Sequence, residues 1–348
     1  MIPLLDNILG KFSDDLSIDL GTANTLVYVQ GKGVVISEPT IVTRHKRTKR
    51  IIAIGSEAKK MLGRTPGNIE LLRPLKDGVV CDFDTTLAIL SYFVRKVHAK
   101  PGRTALWPRP KMILGVPSAI SEIERRAVLD AARGAGARSA YLVEESLAAA
   151  IGAGLPVSES VGSMIVDIGG GTCEIAVISL AGVVVGRSLK VGGDAMDRDI
   201  IGYVRTRYGL AIGERTAEEI KIALGSAYAS EVEREMVIRG RDLERGLPRT
   251  IKLSSVAVRE ALAPSVNLIV DAVRETVEDA PPELAADVAQ RGIMLCGGGA
   301  MLSGFAKLIS KETKMPVSLA REPLACVVLG AASLLENPEL LRKVKLVA

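Results

Sequence analysis

Hydrophobic positions along this chain recur with two periods, and the places where the period switches outline its elements. Alternation by two marks a strand, and recurrence near 3.6 marks a helix. An apolar run closes on Asp19, small residues follow from Gly21 to Thr25, and a second apolar run leads out through Val29. The plan recurs further on: a run from Met164 into Asp167, then Gly169, Gly170, Gly171 and Thr172, then Cys173 to Val177. Each copy predicts a strand, a tight turn and a second, antiparallel strand.

Between and after the copies the pattern continues. Strands are predicted through Val35 and at Ile51–Ile54, in a small module running to about residue 75. A helix is predicted over about 84–98, a strand over 111–117, a strand over 141–143 and an alanine-rich helix from Glu145 to Gly154. Ser121 and Glu124 have the spacing of a capping box, and so do Thr216 and Glu219, so each pair predicts a helix start. Val191–Asp197 opens a further helix, 231–253 reads as polar strands, and 255–280 reads as a long helix. A buried strand from Ile293 ends in Gly297, Gly298 and Gly299, with a helix after it.

The two small-residue turns carry the first candidate chemistry. Glycine lets backbone N–H groups approach an anion closely, while an aspartate beside them can serve a metal. Neither turn is a P-loop, because no G-x-x-x-x-G-K-[ST] occurs. Neither opens a dinucleotide-binding unit, because a strand pattern rather than a helical one follows each. Paired copies imply two halves of a duplicated fold that clamp one polyphosphate from opposite sides.

Composition narrows the class. At 348 residues, 48% of them hydrophobic, the chain predicts about two globular domains. Aromatic residues are only 3%, so aliphatic side chains and alanine must fill the cores. The uncharged apolar run Pro323 to Leu335 falls short of the roughly 18 residues that a spanning helix needs. No cleavable signal peptide is evident. Cys81, Cys173, Cys296 and Cys326 lack metal-type spacing and predict reduced cytosolic thiols. Two histidines cannot build a histidine-rich metal site.

Three segments keep two readings each. The basic run from Arg44 to Arg50 is either a solvated loop or a contact for anionic lipid or an acidic partner. The net charge of +5 is modest and aromatic interleaving is absent, so nucleic acid is not expected. Residues 1–13 read as a short interfacial helix or as a frayed end. The single tryptophan, Trp107, stands beside Leu106 in a proline-rich loop bracketed by Arg103, Arg109 and Lys111. It is either a buried anchor of the core or an interfacial membrane anchor.

In this order, the two aspartate-led hairpins, the Glu145 helix start and the Gly297–Gly299 turn resemble the ATPase superfamily of actin, heat-shock chaperones and sugar kinases. The likeness is closest to the MreB family of bacterial actin homologues. It is carried by IDLGTANTLVYVQGKGVV, VPSAISEIERRAV, AAAIGAGLPV, GSMIVDIGGGT, VGGDAMD, GERTAEEIKI, RGRDLERGLPRTI and REPLACVVLG, over about residues 14–335. The resemblance implies an α/β, actin-like ATPase fold, with duplicated ribonuclease-H-like halves around a nucleotide cleft. Each half carries a smaller inserted subdomain. Domain I would take 1–150 and 321–348, with its insert at about 33–75. Domain II would take 151–320, with its insert at about 186–253.

The resemblance also implies roles. Gly21, Thr22, Ala23 and Asn24, with Gly169, Gly170, Gly171 and Thr172, would hold the phosphates of ATP. Asp19 and Asp167 would hold Mg²⁺ through its waters. Glu145 would orient the attacking water, assisted by Thr172. Gly297, Gly298, Gly299 and Ala300 would pass beneath the adenosine, and Glu218 and Lys221 would flank ribose and base. Glu144, Asp194 and Asp197 read as helix-terminal charges or packing. Leu106 and Trp107 coincide with the family's membrane loop. The family's function implies a cytoplasmic filament protein, peripheral on the inner membrane, that self-assembles as paired antiparallel protofilaments and works with cell-wall elongation proteins.

Two departures stand out. The family's Glu-Glu-Pro is here Glu144-Glu145-Ser146, which loosens the helix start and bears on turnover. Cys173 replaces a threonine-like residue and reads as a small space-filler, with redox sensitivity as the alternative. A sugar kinase on the same fold is the enzyme alternative. A chaperone would need a peptide-binding domain, for which the roughly 50 residues after Gly299 leave no room. A plasmid-segregating filament is disfavoured by the membrane-type loop.

Overall fold

Residues 13–76, 78–99 and 108–346 are described by a computed structural model. The predicted interfacial segment 1–13, apart from Ser13, and the Leu106-Trp107 pair lie outside the described residues. The first hairpin forms as the alternation requires: β1 (Leu16–Leu20) pairs antiparallel with β2 (Asn24–Val29), and β2 with β3 (Gly33–Pro39). The chain then builds a three-stranded sheet from β4 (Val42–His45), β5 (Ile51–Ile54) and β6 (Ile69–Leu72), with the short helix α1 (Ser56–Lys60) between its last two strands. A small ribbon follows, β7 (Leu75–Lys76) with β8 (Val79–Val80), and then α2 (Phe83–His98).

Two crossovers complete the first large sheet. β9 (Lys111–Val116) lies parallel to β1, α3 (Glu122–Gly134) crosses over, and β10 (Ser139–Glu144) lies parallel to β9. The sheet order is β10-β9-β1-β2-β3. Parallel neighbours need such crossovers, which bury both faces of the central strands. α3 begins with the capping box read from the sequence: Ser121 Oγ accepts from the Glu124 N–H, and the Glu124 carboxylate accepts from the Ser121 N–H at 2.8 Å.

After α4 (Glu145–Gly152) the same order is built again. β11 (Ser163–Ile168), β12 (Cys173–Ser179) and β13 (Gly182–Leu189) run antiparallel in sequence. The second excursion holds α5 (Gly193–Tyr208), β14 (Leu210–Ala211), α6 (Glu214–Leu224), β15 (Glu235–Asp242) and β16 (Pro248–Ser254), whose strands form a second three-stranded sheet. The long α7 (Ser255–Glu278) and α8 (Pro282–Arg291) lead to β17 (Ile293–Cys296), which lies parallel to β11. α9 (Phe305–Thr313) then crosses over to β18 (Val317–Leu319), giving the order β13-β12-β11-β17-β18. Every residue of β11 is buried, because helices cover both faces.

The structure changes three local readings. α6 starts at Glu214 behind Gly213, with no side-chain cap, so Thr216 and Glu219 are not a capping box. The extended Gly213 backbone caps the helix three residues ahead of Thr216, and Glu219 pairs instead with Arg215 at 3.0 Å. The three glycines lead into a short 3₁₀ turn, Gly299–Met301, before α9 begins. Within the basic run, Arg44 points inward on β4 to Glu70 and Asp82, while Lys46, Arg47 and Arg50 lie exposed on the β4–β5 connection.

The chain ends in α10 (Cys326–Glu336) and α11 (Pro338–Val344). α10 returns to the first half and crosses α4 between the two large sheets. Their backbones touch: a Cβ on Gly152 would lie 1.9 Å from the Cys326 carbonyl oxygen, and one on Gly330 would lie 1.8 Å from that of Ala148. Around this crossing a shared core joins Ile113 and Val143 of the first sheet to Ile165 and Ala176 of the second. Gly330→Ala is expected to lower unfolding stability by about 3 kcal/mol, read from urea denaturation. Gly202→Ala, in α5 with nothing near its added methyl, serves as the control and should cost nothing. Equal midpoints for the two variants would show that the helices can part freely.

Candidate functional site

A cavity of about 970 Å³ opens between the halves. The strands build its floor. Asp19 is the penultimate residue of β1 and Asp167 that of β11, so the duplicated hairpins deliver two carboxylates to one place. Glu145, first residue of α4, and Glu174, second residue of β12, join them and are 9% and 1% exposed.

The two turns face each other across this floor. A Cβ on Gly170 would lie 2.5 Å from that of Ala23, and one on Gly171 would lie 2.6 Å from Thr22 Oγ1. No larger residue fits at either glycine while the halves hold this spacing. Each turn is pinned by its own half. Thr40 N–H donates to the Ala23 carbonyl at 2.9 Å, and Gly78 N–H donates to Thr22 Oγ1 at 3.2 Å. At the start of α5, Gly193 and Asp194 donate N–H groups to the carbonyls of Gly169 and Gly170. Asn24 is exposed on the cavity wall, and Thr172 is buried beside it.

The triple glycine is forced first by the protein itself. Gly297 has a φ of +82°, and a Cβ there would lie 2.3 Å from the Ile168 carbonyl and 2.4 Å from Asp167 Oδ1. Gly297, Gly298 and Gly299 line the cavity, whereas Ala300 turns its methyl into the core of the second half. Ala300 is thus the one predicted nucleotide contact on the described residues that the structure leaves out of the cavity wall.

Glu218 and Lys221 lie on the cavity side of α6, but both hold protein groups. Lys221 Nζ is 2.9 Å from Asp197 Oδ1 and donates to the Gly193 carbonyl at 2.8 Å. Glu218 pairs with Lys59 of α1 at 2.9 Å, across the cleft. Arg73 of the first half reaches Asp194 and Glu214 of the second, each at 3.1 Å. Asp194 and Asp197 are therefore ion-pair partners rather than bare helix-terminal charges.

Charge is sorted by burial. Lys59, Arg73 and Lys221 of the cavity lining are half-buried and Arg198 is exposed, while Asp167, Glu145 and Glu174 are buried. Burial, and then the charge of Asp167, lifts the Asp19 carboxyl to about 7. Burial, and then Glu174, lifts Asp167 to about 7, against the hydrogen bond of the Cys296 thiol. Glu145 is raised well above the usual carboxylate range by burial and then by Asp19, Glu174 and Asp167. Carboxylates crowded this way lack positive charge, which suits a divalent cation that brings phosphate. Among the described residues no three His, Cys, Asp or Glu side chains could share an ion directly. Asp19 and Asp167 are the residues that would hold such a cation, and an oxygen-only donor set suits Mg²⁺.

Sequence reasoning missed Glu174, Lys59, Arg73 and Gly78. Only Glu174 left a local signal, a lone carboxylate in the otherwise apolar run from Cys173 to Ile178. Cys173 itself is fully buried in the core of the second half, as a space-filler would be. Ser146, in place of the family's proline, is fully buried too.

Comparison with known proteins accords with this geometry. A family model described as "MreB/Mbl protein" matches residues 13–343. The chain is 50% identical over 337 residues to the "Cell shape-determining protein MreB" of Escherichia coli strain K12, covering 96% of each. Its structure is similar to MreB5 of Spiroplasma citri bound to ADP, with 38% identity and a TM-score of 0.88, covering 94% of this chain and 97% of that one. The same values hold for MreB5 bound to AMPPNP. The MamK double helical filament, at 21% identity, shares the fold with a TM-score of 0.76, covering 93% of this chain and 99% of that one. The fold is actin-like.

The raised aspartates set a pH dependence. Their carboxyls ionise near 4 when unfolded and near 7 when folded, so the stability they contribute is complete below about pH 4 and lost as pH rises through 7. The Tm of the nucleotide-free protein in chelator is therefore expected to fall between about pH 4 and 7. Mg²⁺ with a nucleotide should flatten that fall. A Tm that rises over this window without ligand would show that both aspartates ionise freely in the folded chain.

Proposed function

The chain belongs to the MreB/Mbl family, and on that premise we propose that it is an ATP-hydrolysing cytoskeletal filament protein that assembles on the inner membrane face and organises cell-wall synthesis and rod shape. The observation that carries this reading is the pair of glycine-rich turns facing each other over an acidic floor. Nucleotide-bound MreB5 structures of the same fold support it.

Gly21, Thr22, Ala23 and Asn24 on one side, and Gly169 to Thr172 on the other, bind the β- and γ-phosphates through N–H groups and hydroxyls. Asp19 and Asp167 would hold Mg²⁺, which when bound would neutralise phosphate charge. Gly297 to Gly299 lie under the adenosine, and Glu218 and Lys221 flank ribose and base. Glu145 is desolvated and basic, which suits a group that orients water and accepts its proton. Water oxygen bonds to the γ-phosphorus, the bond to the β–γ bridging oxygen breaks, and ADP and phosphate result. Thr172 assists from the second turn. Positioning and charge supply most of the rate, and the turnover is slow and coupled to assembly.

In this reading domain I is 1–150 with 321–348, and domain II is 151–320. ATP-bound copies add head to tail, protofilaments pair antiparallel, and hydrolysis marks them for disassembly. Among the described residues no helix is long and apolar enough to cross a membrane. Membrane contact is assigned to Leu106 and Trp107, with residues 1–13 as a second anchor. Support comes from Ser13 and Arg109, which border those segments: the Arg109 N–H donates to Ser13 Oγ at 2.8 Å. Two weak anchors hold a membrane better than one. Cell-wall elongation proteins are the further partners.

Electron microscopy of the purified chain with ATP and Mg²⁺ on an anionic lipid monolayer is expected to show paired filaments. Dispersed monomers at high concentration would overturn the filament reading, and phosphate transfer to an added sugar would favour the kinase. Replacing Leu106 and Trp107 by serine should weaken liposome binding about tenfold. Glu145→Ala should keep nucleotide affinity and slow phosphate release at least about tenfold. Unchanged release would remove Glu145 from the mechanism.

A further inference from the structure

Glu174 is a buried carboxylate to which the hydrolysis described above gives no task. It stands on β12 directly opposite Asp167 on β11 and Ser188 on β13. One oxygen accepts from the Ser188 hydroxyl at 2.5 Å, and the other accepts from the Ser118 N–H at 3.2 Å. Ser118 belongs to the first half, just past the end of β9. A single carboxylate of the second sheet thus grips the backbone of the first at the cavity floor.

The contact continues toward Glu145. Ser118 Oγ lies 3.4 Å from Ser146 Oγ, and Ser146 follows Glu145 in the first turn of α4. Proline, the residue of the family pattern at this position, has no hydroxyl to offer Ser118. In this chain an unbroken path therefore runs from β13 through Glu174 and Ser118 to the helix start that carries the water-orienting carboxylate.

We propose that Glu174 is a positioning residue for ATP hydrolysis, acting through Ser118 and Ser146 to hold Glu145 in register with the second half. Its role presupposes that ATP is hydrolysed at this site. A carboxylate that is 1% exposed, with two neutral hydrogen bonds among the described residues, is costly to bury, and an apolar side chain would fill the wall with less penalty. The geometry gives the charge a use. Any movement of the halves that shifts Ser118 against Glu174 also moves the seat of Glu145, so cleft closure and water orientation become one event. The mutual repulsion of the floor carboxylates, after burial, agrees with this proximity.

The test compares ATP turnover and nucleotide affinity of the full chain with its Glu174→Gln, Ser146→Ala and double variants. Glutamine keeps the shape and one acceptor but removes the charge. It should lower kcat about tenfold and leave KM for ATP within about twofold. Ser146→Ala should lower kcat about threefold, and the double variant should fall no further than Glu174→Gln alone, as expected of residues acting in one path. A purely structural role would instead lower Tm and raise KM with kcat kept. A kcat for Glu174→Gln within about twofold of the parent, or additive losses in the double variant, overturns the proposal. If Glu174→Gln does not fold, Ser146→Ala decides alone, and an unchanged kcat counts against the path. A parent chain without turnover removes the ATPase reading and this inference together. An unaffected Glu174→Gln beside an impaired Glu145→Ala removes only the role of Glu174.

Discussion

Direct backbone contact between α4 and α10 is the constraint on which the rest of the structure depends. Two large sheets of identical strand order must face each other, and the elements that pass between them have to be thin. Gly152 and Gly330 make them so, since neither position has room for a methyl group. Interiors are close-packed, so thickening this crossing would push the sheets apart rather than be absorbed. The spacing of the facing turns, and hence the width of the cavity, follows from it. The same crossing places the first residue of α4, Glu145, at the cavity floor.

With that spacing set, electrostatics arranges the site. The duplicated hairpins bring Asp19 and Asp167 together, and Glu145 and Glu174 are added from α4 and β12. Like charges at close quarters in a desolvated place resist ionisation, which raises both aspartates and Glu145. The cations that could answer them are less buried and are tied across the cleft in the Lys59–Glu218 and Arg73–Asp194 pairs. The floor is therefore short of positive charge and the rim is bridged. That is a suitable arrangement for a site that admits a metal with a polyphosphate and closes over it.

Much of this was legible in the residues. Both hairpins, the Ser121–Glu124 capping box and the alanine-rich helix after Glu145 rest on neighbours along the chain, where periodicity and cap chemistry act directly. The Thr216–Glu219 box failed because a cap signal specifies only a possible start, and the extended Gly213 began the helix earlier. Ala300 was grouped with the glycines before it, but its methyl faces the core, a matter of which way the 3₁₀ turn rolls. The cross-cleft pairs were invisible, because Lys59 and Glu218 are brought together only by folding. Glu174 left a faint trace as a carboxylate in an apolar strand, but its grip on Ser118 joins separate halves.

The sequence by itself determined the duplicated aspartate-led hairpins, the order of elements and the family, because each is written in local spacing that survives without knowledge of neighbours in space. Only the tertiary structure decided how far apart the two turns stand and which charges meet across the cleft. It alone decided that Ser146, a departure from the family pattern, lies against Ser118. Those outcomes depend on two backbones touching at Gly152 and Gly330, positions far apart along the chain, and nothing in the pattern of either segment names the other.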